Sequence, residues 1–218
     1  KTNIIYIFSD QQRPDTMGCY GQKLSVTPNL DNLANEGVVF SNAFSIQPLC
    51  GPARSCMQTG KYATQNGCHM NGLPLKDSDE NLGNLLSSSG YKTGYIGKWH
   101  LAAIPDENEH FISKPVPENM RGGYKDRWIV SNILEMTSNS KSGYLFSDNE
   151  KITFNKYRVD AITDYALDFV DDFSDEPFFL TVSYLEPHHQ NSTDTHEAPD
   201  GREDLFKNFE VPPDLLPG

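Results

Sequence analysis

Cysteine is sparse and unpatterned in this chain. The four, Cys19, Cys50, Cys56 and Cys68, form no CxxC pair and none of the spacings that hold structural zinc. Two disulfides stay open, but the count is too low for a disulfide scaffold, and the missing CxxC argues against a thiol-redox protein. Positive charge is scarce as well. Eighteen Lys and Arg face 30 Asp and Glu, a net charge of -12, which argues against general nucleic-acid binding because a phosphate backbone demands a basic surface. A small anion can still be held by a local cluster of Arg, Lys and His. No membrane span is present, and no secretory leader precedes the apolar run that starts at Asn3. A leader has either been removed or never existed. There is no internal repeat and no low-complexity tract.

What is present is enough for one α/β domain or most of one. Asn3 to Phe8 is almost continuously apolar and rich in β-branched and aromatic residues, the pattern of a strand buried on both faces in a parallel sheet. Thr27-Pro28 opens a helix that Gly37 ends, with Leu30, Leu33 and Ala34 on its inner face. Val38 to Ala43 reads as a short strand. Pro52 to Thr59 reads as a helix stopped by Gly60. Asp79 is placed to cap a helix carrying Leu82, Leu85 and Leu86. Lys92 to Gly97 and Pro177 to Leu185 read as strands. Tyr157 to Phe173 carries apolar residues at helical spacing. Strands and helices thus alternate, which predicts a mainly parallel sheet flanked by helices. Residues 101–156 are polar and irregular, a candidate insertion over one face, and residues 190–218 are acidic and Pro-rich.

In open α/β sheets, ligands bind beyond the carboxyl ends of the strands. Three polar clusters fall at such ends here: Asp10-Gln11, Lys98 with His100, and His188-His189. Cys50 stands at the start of a helix, where free N–H groups and the dipole favour an anion. Arg54 lies four residues on, on the same helical face, with a planar fork suited to a tetrahedral anion. Trp99 and Trp128 are assigned to core packing, and His69, His110 and His196 to loops.

Cys50-Gly51-Pro52-Ala53-Arg54 matches C-x-P-x-R, with Thr59-Gly60 following, and Gly97-Lys98-Trp99-His100-Leu101 matches G-K-W-H-L, with Ala102 where a Gly is usual. Together, in this order and spacing, these segments resemble the sulfatase family, a branch of the alkaline phosphatase superfamily. The resemblance also covers Gly18-Cys19-Tyr20-Gly21, Thr27-Pro28-Asn29-Leu30-Asp31 and Gly37 to Ala43, and it returns at residues 178–189.

The resemblance implies an alkaline-phosphatase-like α/β fold and a sulfuric ester hydrolase. It implies that Cys50 is converted to Cα-formylglycine by a maturation enzyme, replacing a thiol with a hydrated aldehyde. One hydroxyl of that hydrate would attack sulfur, and the other would then collapse to the aldehyde and expel sulfate. By the same resemblance, Asp10, Gln11 and position 50 are ligands of a calcium ion. Gln11 stands where many members have a second Asp, and its amide oxygen still suits a hard cation. Lys98 would bind sulfate and support the formylglycine, His100 would be the base for collapse, and His188 would bind sulfate or protonate the leaving oxygen. The family's later metal ligands, strands and C-terminal subdomain do not occur before Gly218. Residues 1–218 are therefore expected to be the N-terminal portion of a sulfatase catalytic domain, inactive alone. The expected substrate is a sulfated sugar or polysaccharide, and the expected location periplasmic or extracellular. Two other readings are a phosphodiester or phosphonate-ester hydrolase of the same superfamily and a non-catalytic glycan-binding fragment.

Overall fold

The computed structural model describes residues 1–24, 26–78, 80–104, 111–190 and 193–205. Six strands form one sheet: β1 (Ile4–Phe8), β2 (Lys92–Lys98), β3 (Arg127–Ser131), β4 (Gly143–Ser147), β5 (Glu150–Phe154) and β6 (Phe178–Ser183), in the order β1-β6-β2-β3-β4-β5. The pairs among β1, β6, β2 and β3 are parallel, and β4 and β5 continue the sheet antiparallel. The helices are α1 (Pro28–Glu36), α2 (Cys50–Thr59), α3 (Ala63–Asn66), α4 (Leu82–Ser88), α5 (Leu134–Thr137) and α6 (Arg158–Asp172). None of the described helices is long and apolar enough to cross a membrane.

Alternation along the central strands builds two cores, because successive strand side chains point to opposite faces. Ile96, Ile129, Phe178, Leu180 and Val182 pack with Ala161, Ile162, Ala166 and Phe169 of α6. Tyr95, Trp128, Val130 and Phe179 join Trp99, Leu101 and Tyr124 in a second cluster. Its rings meet edge-on, Tyr95 to Trp99 at 4.9 Å and Trp99 to Trp128 at 5.2 Å, the arrangement that the ring quadrupole favours. Both tryptophans are core residues, as the sequence indicates.

Three sequence expectations are corrected. β1 is formed as expected, but it pairs only with β6, and Ile5 and Ile7 are 50% and 62% exposed rather than buried. Among the described residues nothing covers that edge. Val38 to Ala43 forms no strand, and Val38 is 80% exposed. Its β-branched composition suits a pleated surface, but among the described residues no neighbouring strand is there to pair with it. Residues 101–156 are not a polar cover over one face. They hold β3, α5, β4 and β5, and the last two strands lengthen the sheet. The hairpin turns at Asp148-Asn149, with Asp148 in the left-handed region at φ 51°. The cap read at Asp79 and the loop read at His110 lie outside the described residues, as do 206–218. α4 itself is present, with Asn81 at its N-cap.

Gly97 sits where the main sheet turns toward the strand-end cleft. Its φ is 111°, and a Cβ there would lie 2.0 Å from the Ser183 carbonyl oxygen. Gly60 also has a positive φ, 64°, but open space around it. Gly97→Ala is therefore expected to destabilise by at least about 3 kcal/mol, from strain plus a backbone clash, and Gly60→Ala by about 1 kcal/mol from strain alone. Urea unfolding of the two variants checks this; equal costs would show that the backbone around Gly97 yields freely.

Candidate active site

The register levels the strand ends. Phe8 pairs with Ser183, Gly97 with Ser183 and Lys98 with Ser131. Asp10, Lys98, His100 and His188 therefore emerge at one end of the sheet. The first turn of α2 brings Cys50 to the same place. Asp10, Gln11, Cys50 and His188 line a cleft of about 810 Å³ together with Phe8, Met57 and the apolar loop around Phe44.

Four charges are buried beneath that cleft. Lys98 is fully buried, and its Nζ lies 2.9 Å from Asp10 Oδ2 and 2.9 Å from Glu135 Oε1. The Arg54 guanidinium reaches the same Asp10 oxygen at 3.1 Å. It also donates to the Lys98 carbonyl at 2.8 Å and to Ser183 Oγ at 2.7 Å, and it lies over the Phe8 ring at 4.8 Å. Tyr95 donates its hydroxyl to the same Lys98 carbonyl. Burial pushes the Asp10 carboxyl up, but Lys98 and Arg54 outweigh it and hold it below the usual carboxylate range. Glu135 behaves alike: burial raises it, and Lys98 pulls it below its ordinary value. Both carboxylates are charged at neutral pH, so two cations and two anions balance.

The Cys50 thiol is pushed up by burial, with Asp10 and Glu135 adding to the effect and Lys98 and Arg54 opposing it. At neutral pH it is a thiol, not a thiolate. Its sulfur, an Asp10 carboxylate oxygen and a His188 ring nitrogen all lie within 4.8 Å of one another. Behind it, the Gly51 N–H donates to Asn71 Oδ1 at 2.8 Å.

His100 stands in the left-handed region at φ 60°, held by its N–H to the Asn132 carbonyl at 2.7 Å. Asn132 in turn bonds Ala102 through both ends of its amide. His100 Nδ1 is buried without a hydrogen-bond partner among the described residues. Burial, then the charge of Lys98, lowers its pKa to about 4, so the ring is neutral at pH 7 and able to accept a proton. His188 Nδ1 lies 2.6 Å from the His189 carbonyl. A ring nitrogen facing a carbonyl must carry the proton, which leaves Nε2 as the basic atom. His189 points elsewhere, with Nε2 3.2 Å from Asp194, and its backbone N–H donates to Gln11 Oε1 at 3.2 Å. Of the adjacent pair, His188 is the one that lines the cleft.

Every sequence-predicted site residue thus gathers at this end of the sheet: Asp10, Gln11, Cys50, Arg54, Lys98, His100 and His188. Sequence reasoning missed Glu135, Ser183, Tyr95, Asn71 and Asn132. Ser183 ends a strand that was identified. Asn132 and Glu135 follow β3, and reading Arg127 to Ser131 as a strand would have drawn attention to both.

The family model described as Sulfatase matches residues 2–209. The chain belongs to the sulfatase family. It is 32% identical over 189 residues to the N-acetylglucosamine-6-O-sulfatase of Bacteroides thetaiotaomicron, covering 86% of this chain and 31% of that sulfatase. It is 34% identical over 210 residues to an ulvan-active sulfatase of Formosa agariphila, covering 94% and 38%. Among solved structures, a putative sulfatase yidJ from Bacteroides fragilis superposes with a TM-score of 0.81 at 27% identity, over 95% of this chain and 48% of that one. BT4656 in complex with its substrate D-glucosamine-2-N,6-O-disulfate superposes at 0.78 with 29% identity, over 96% and 38%. The chain therefore spans between about a third and a half of these sulfatases, and its mostly parallel sheet with flanking helices is the one they share.

The buried, neutral His100 has a stability signature. Its folded pKa is depressed, so between its ordinary value near 6.5 and about 4 the unfolded chain binds more protons than the folded one. Stability then falls as pH drops through that window. His100→Gln is expected to flatten this part of the profile. Unfolding midpoints from pH 7 to 4 check it; an unchanged slope would mean that His100 is protonated alike in both states.

Proposed function

We propose that the protein hydrolyses sulfate esters of a sugar or polysaccharide, using a formylglycine formed from Cys50 and a bound calcium ion, in a periplasmic or extracellular location. The observation that carries this reading is the pairing of Cys50 with its surroundings. It opens a helix in a cleft, next to two buried cations and the His188 ring, yet burial keeps its thiol protonated. A thiolate nucleophile would want the opposite. An oxygen nucleophile at this position suits the arrangement.

Lys98 and Arg54 supply positive charge beside position 50, where a sulfate group would develop charge on cleavage. His100 is buried and neutral, with an Nδ1 that has no hydrogen-bond partner among the described residues, and in this reading its ring would take the proton from the group at position 50. His188, whose Nδ1 is engaged by the His189 carbonyl, would bind sulfate, or, when its ring also carries a proton on Nε2, would give that proton to the leaving alcohol. The relatives named for N-acetylglucosamine-6-O-sulfate and ulvan act on saccharides, which supports a saccharide here.

The metal donors fit in kind. Both ion pairs of Asp10 use Oδ2, so Oδ1 is bound by neither cation. Gln11 Oε1 accepts one hydrogen bond, and an amide oxygen has two lone pairs. A thiol is a poor calcium ligand, whereas conversion of Cys50 would give an oxygen. These three oxygens make only part of the roughly six to eight that calcium takes. When bound, the cation would offset sulfate charge and orient its oxygens.

Peptide mass spectrometry across Cys50, on full-length protein from its own host, is expected to show a residue about 18 Da lighter than cysteine. Sulfate release from sulfated N-acetylglucosamine and from sulfated polysaccharide is expected to accompany it, and Cys50→Ala is expected to lose at least about a thousandfold in kcat. An unmodified thiol in active protein would sink the formylglycine mechanism. Hydrolysis of phosphate diesters in preference to sulfate esters would overturn the choice of substrate.

A further inference from the structure

Glu135 belongs to no motif, yet it is bound to the most deeply buried cation of the site. It lies in the four-residue α5, immediately beyond β3, and its side chain is only 8% exposed. Oε1 takes Lys98 at 2.9 Å, while Oε2 is buried with no hydrogen-bond partner among the described residues. Burying a carboxylate with one oxygen unsatisfied is unfavourable unless its charge is needed where it sits. Its charge is felt at both Cys50 and His100. Lys98 has a second carboxylate, Asp10, but Asp10 also serves Arg54 and offers its other oxygen to the cleft. A cation on Asp10 would draw that carboxylate's charge away from Lys98 and would itself repel the ammonium. Of the two carboxylates on Lys98, Glu135 is the one with no other cation partner among the described residues.

We infer that Glu135 is the positioning residue of the sulfate-binding centre: it fixes the Lys98 ammonium beside Cys50 and sets how tightly the site holds sulfate. This rests on the sulfatase reading above. Two consequences follow from charge and geometry together. Glutamine at position 135 can still accept a hydrogen bond from Lys98, so the ammonium stays in place, but one negative charge is gone. Sulfate should then be held more tightly and leave more slowly. Leucine removes both the charge and the hydrogen bond, so the ammonium is no longer held in position.

The test uses the full-length, matured enzyme and three chains: parent, Glu135→Gln and Glu135→Leu. Inorganic sulfate is titrated calorimetrically, which requires no turnover, and kcat and KM are measured in parallel on one sulfated sugar. Glu135→Gln is expected to bind sulfate about tenfold more tightly, from one added net charge close to the anion, with KM lowered and kcat lowered by slow product release. Glu135→Leu is expected to lose at least about a hundredfold in kcat, with sulfate binding no tighter than the parent's. Parent-like sulfate affinity and kinetics in Glu135→Gln would overturn the inference. So would equal weakening of sulfate binding in both variants, which is what a purely structural role predicts. If the parent cleaves no sulfate ester, the functional reading fails on that observation, and the sulfate titration still decides whether Glu135 governs anion affinity. Urea midpoints identify any variant that fails to fold, and Glu135→Gln, matched in size and in its hydrogen bond, is the one on which the inference stands or falls.

Discussion

A fully buried lysine at the end of a central strand cannot stand alone. Removing an ammonium from water is unfavourable by several kcal/mol even after relaxation, so it must be met by carboxylates with good geometry. Lys98 meets two, and one of them is shared with the buried Arg54. The four groups come from the loop after β1, the helix α2, the strand β2 and the short helix after β3. No two of these segments are neighbours in sequence. The ion cluster therefore exists only when the sheet order is correct, and the strand ends must be level within a few ångströms for it to close. Arg54 ties the cluster to the backbone as well, through the Lys98 carbonyl, and to β6 through Ser183. Everything above it in the cleft, Cys50 included, takes its position from this layer.

How far this could be read from the sequence follows from the same physics. β1 and β6 were visible because they are largely apolar runs of β-branched and aromatic residues, and α6 because its buried residues recur at helical spacing. β3, β4 and β5 were not. Arg127 to Ser131 has only three consecutive apolar residues, and Glu150 to Phe154 is an edge strand with exposed, charged positions, so neither resembles a core strand. Val38 to Ala43 shows the converse error: propensity without a partner makes no strand. At the site, Cys50 and Arg54 were legible because four residues along a helix share a face. Asp10, Lys98 and His100 were legible because they follow readable strands. Glu135 was not, since its meaning lies in contact with a lysine 37 residues earlier, through a strand that had not been recognised. The preference for His188 over His189 came from the resemblance and not from any pattern of the residues themselves. In the structure the choice turns on which ring faces the cleft and which is drawn to Asp194.

The charge count of the cluster bears on how a site in so acidic a chain binds an anion. With Asp10 and Glu135 both ionised, Lys98 and Arg54 are neutralised where they stand, and the field they project into the cleft is small. Burial is the main reason that the Cys50 thiol is raised rather than lowered, and Asp10 and Glu135 add to it against the two cations and the helix start. Such a site is poorly built to hold a thiolate. Adding a divalent cation at the free Asp10 oxygen would shift the balance by two positive charges without moving a protein group, and the site would then attract sulfate. Under the proposed function, anion affinity would be conditional on the metal. The two carboxylates fix Lys98 and Arg54 in a dry environment while offsetting the charge these side chains present to an anion.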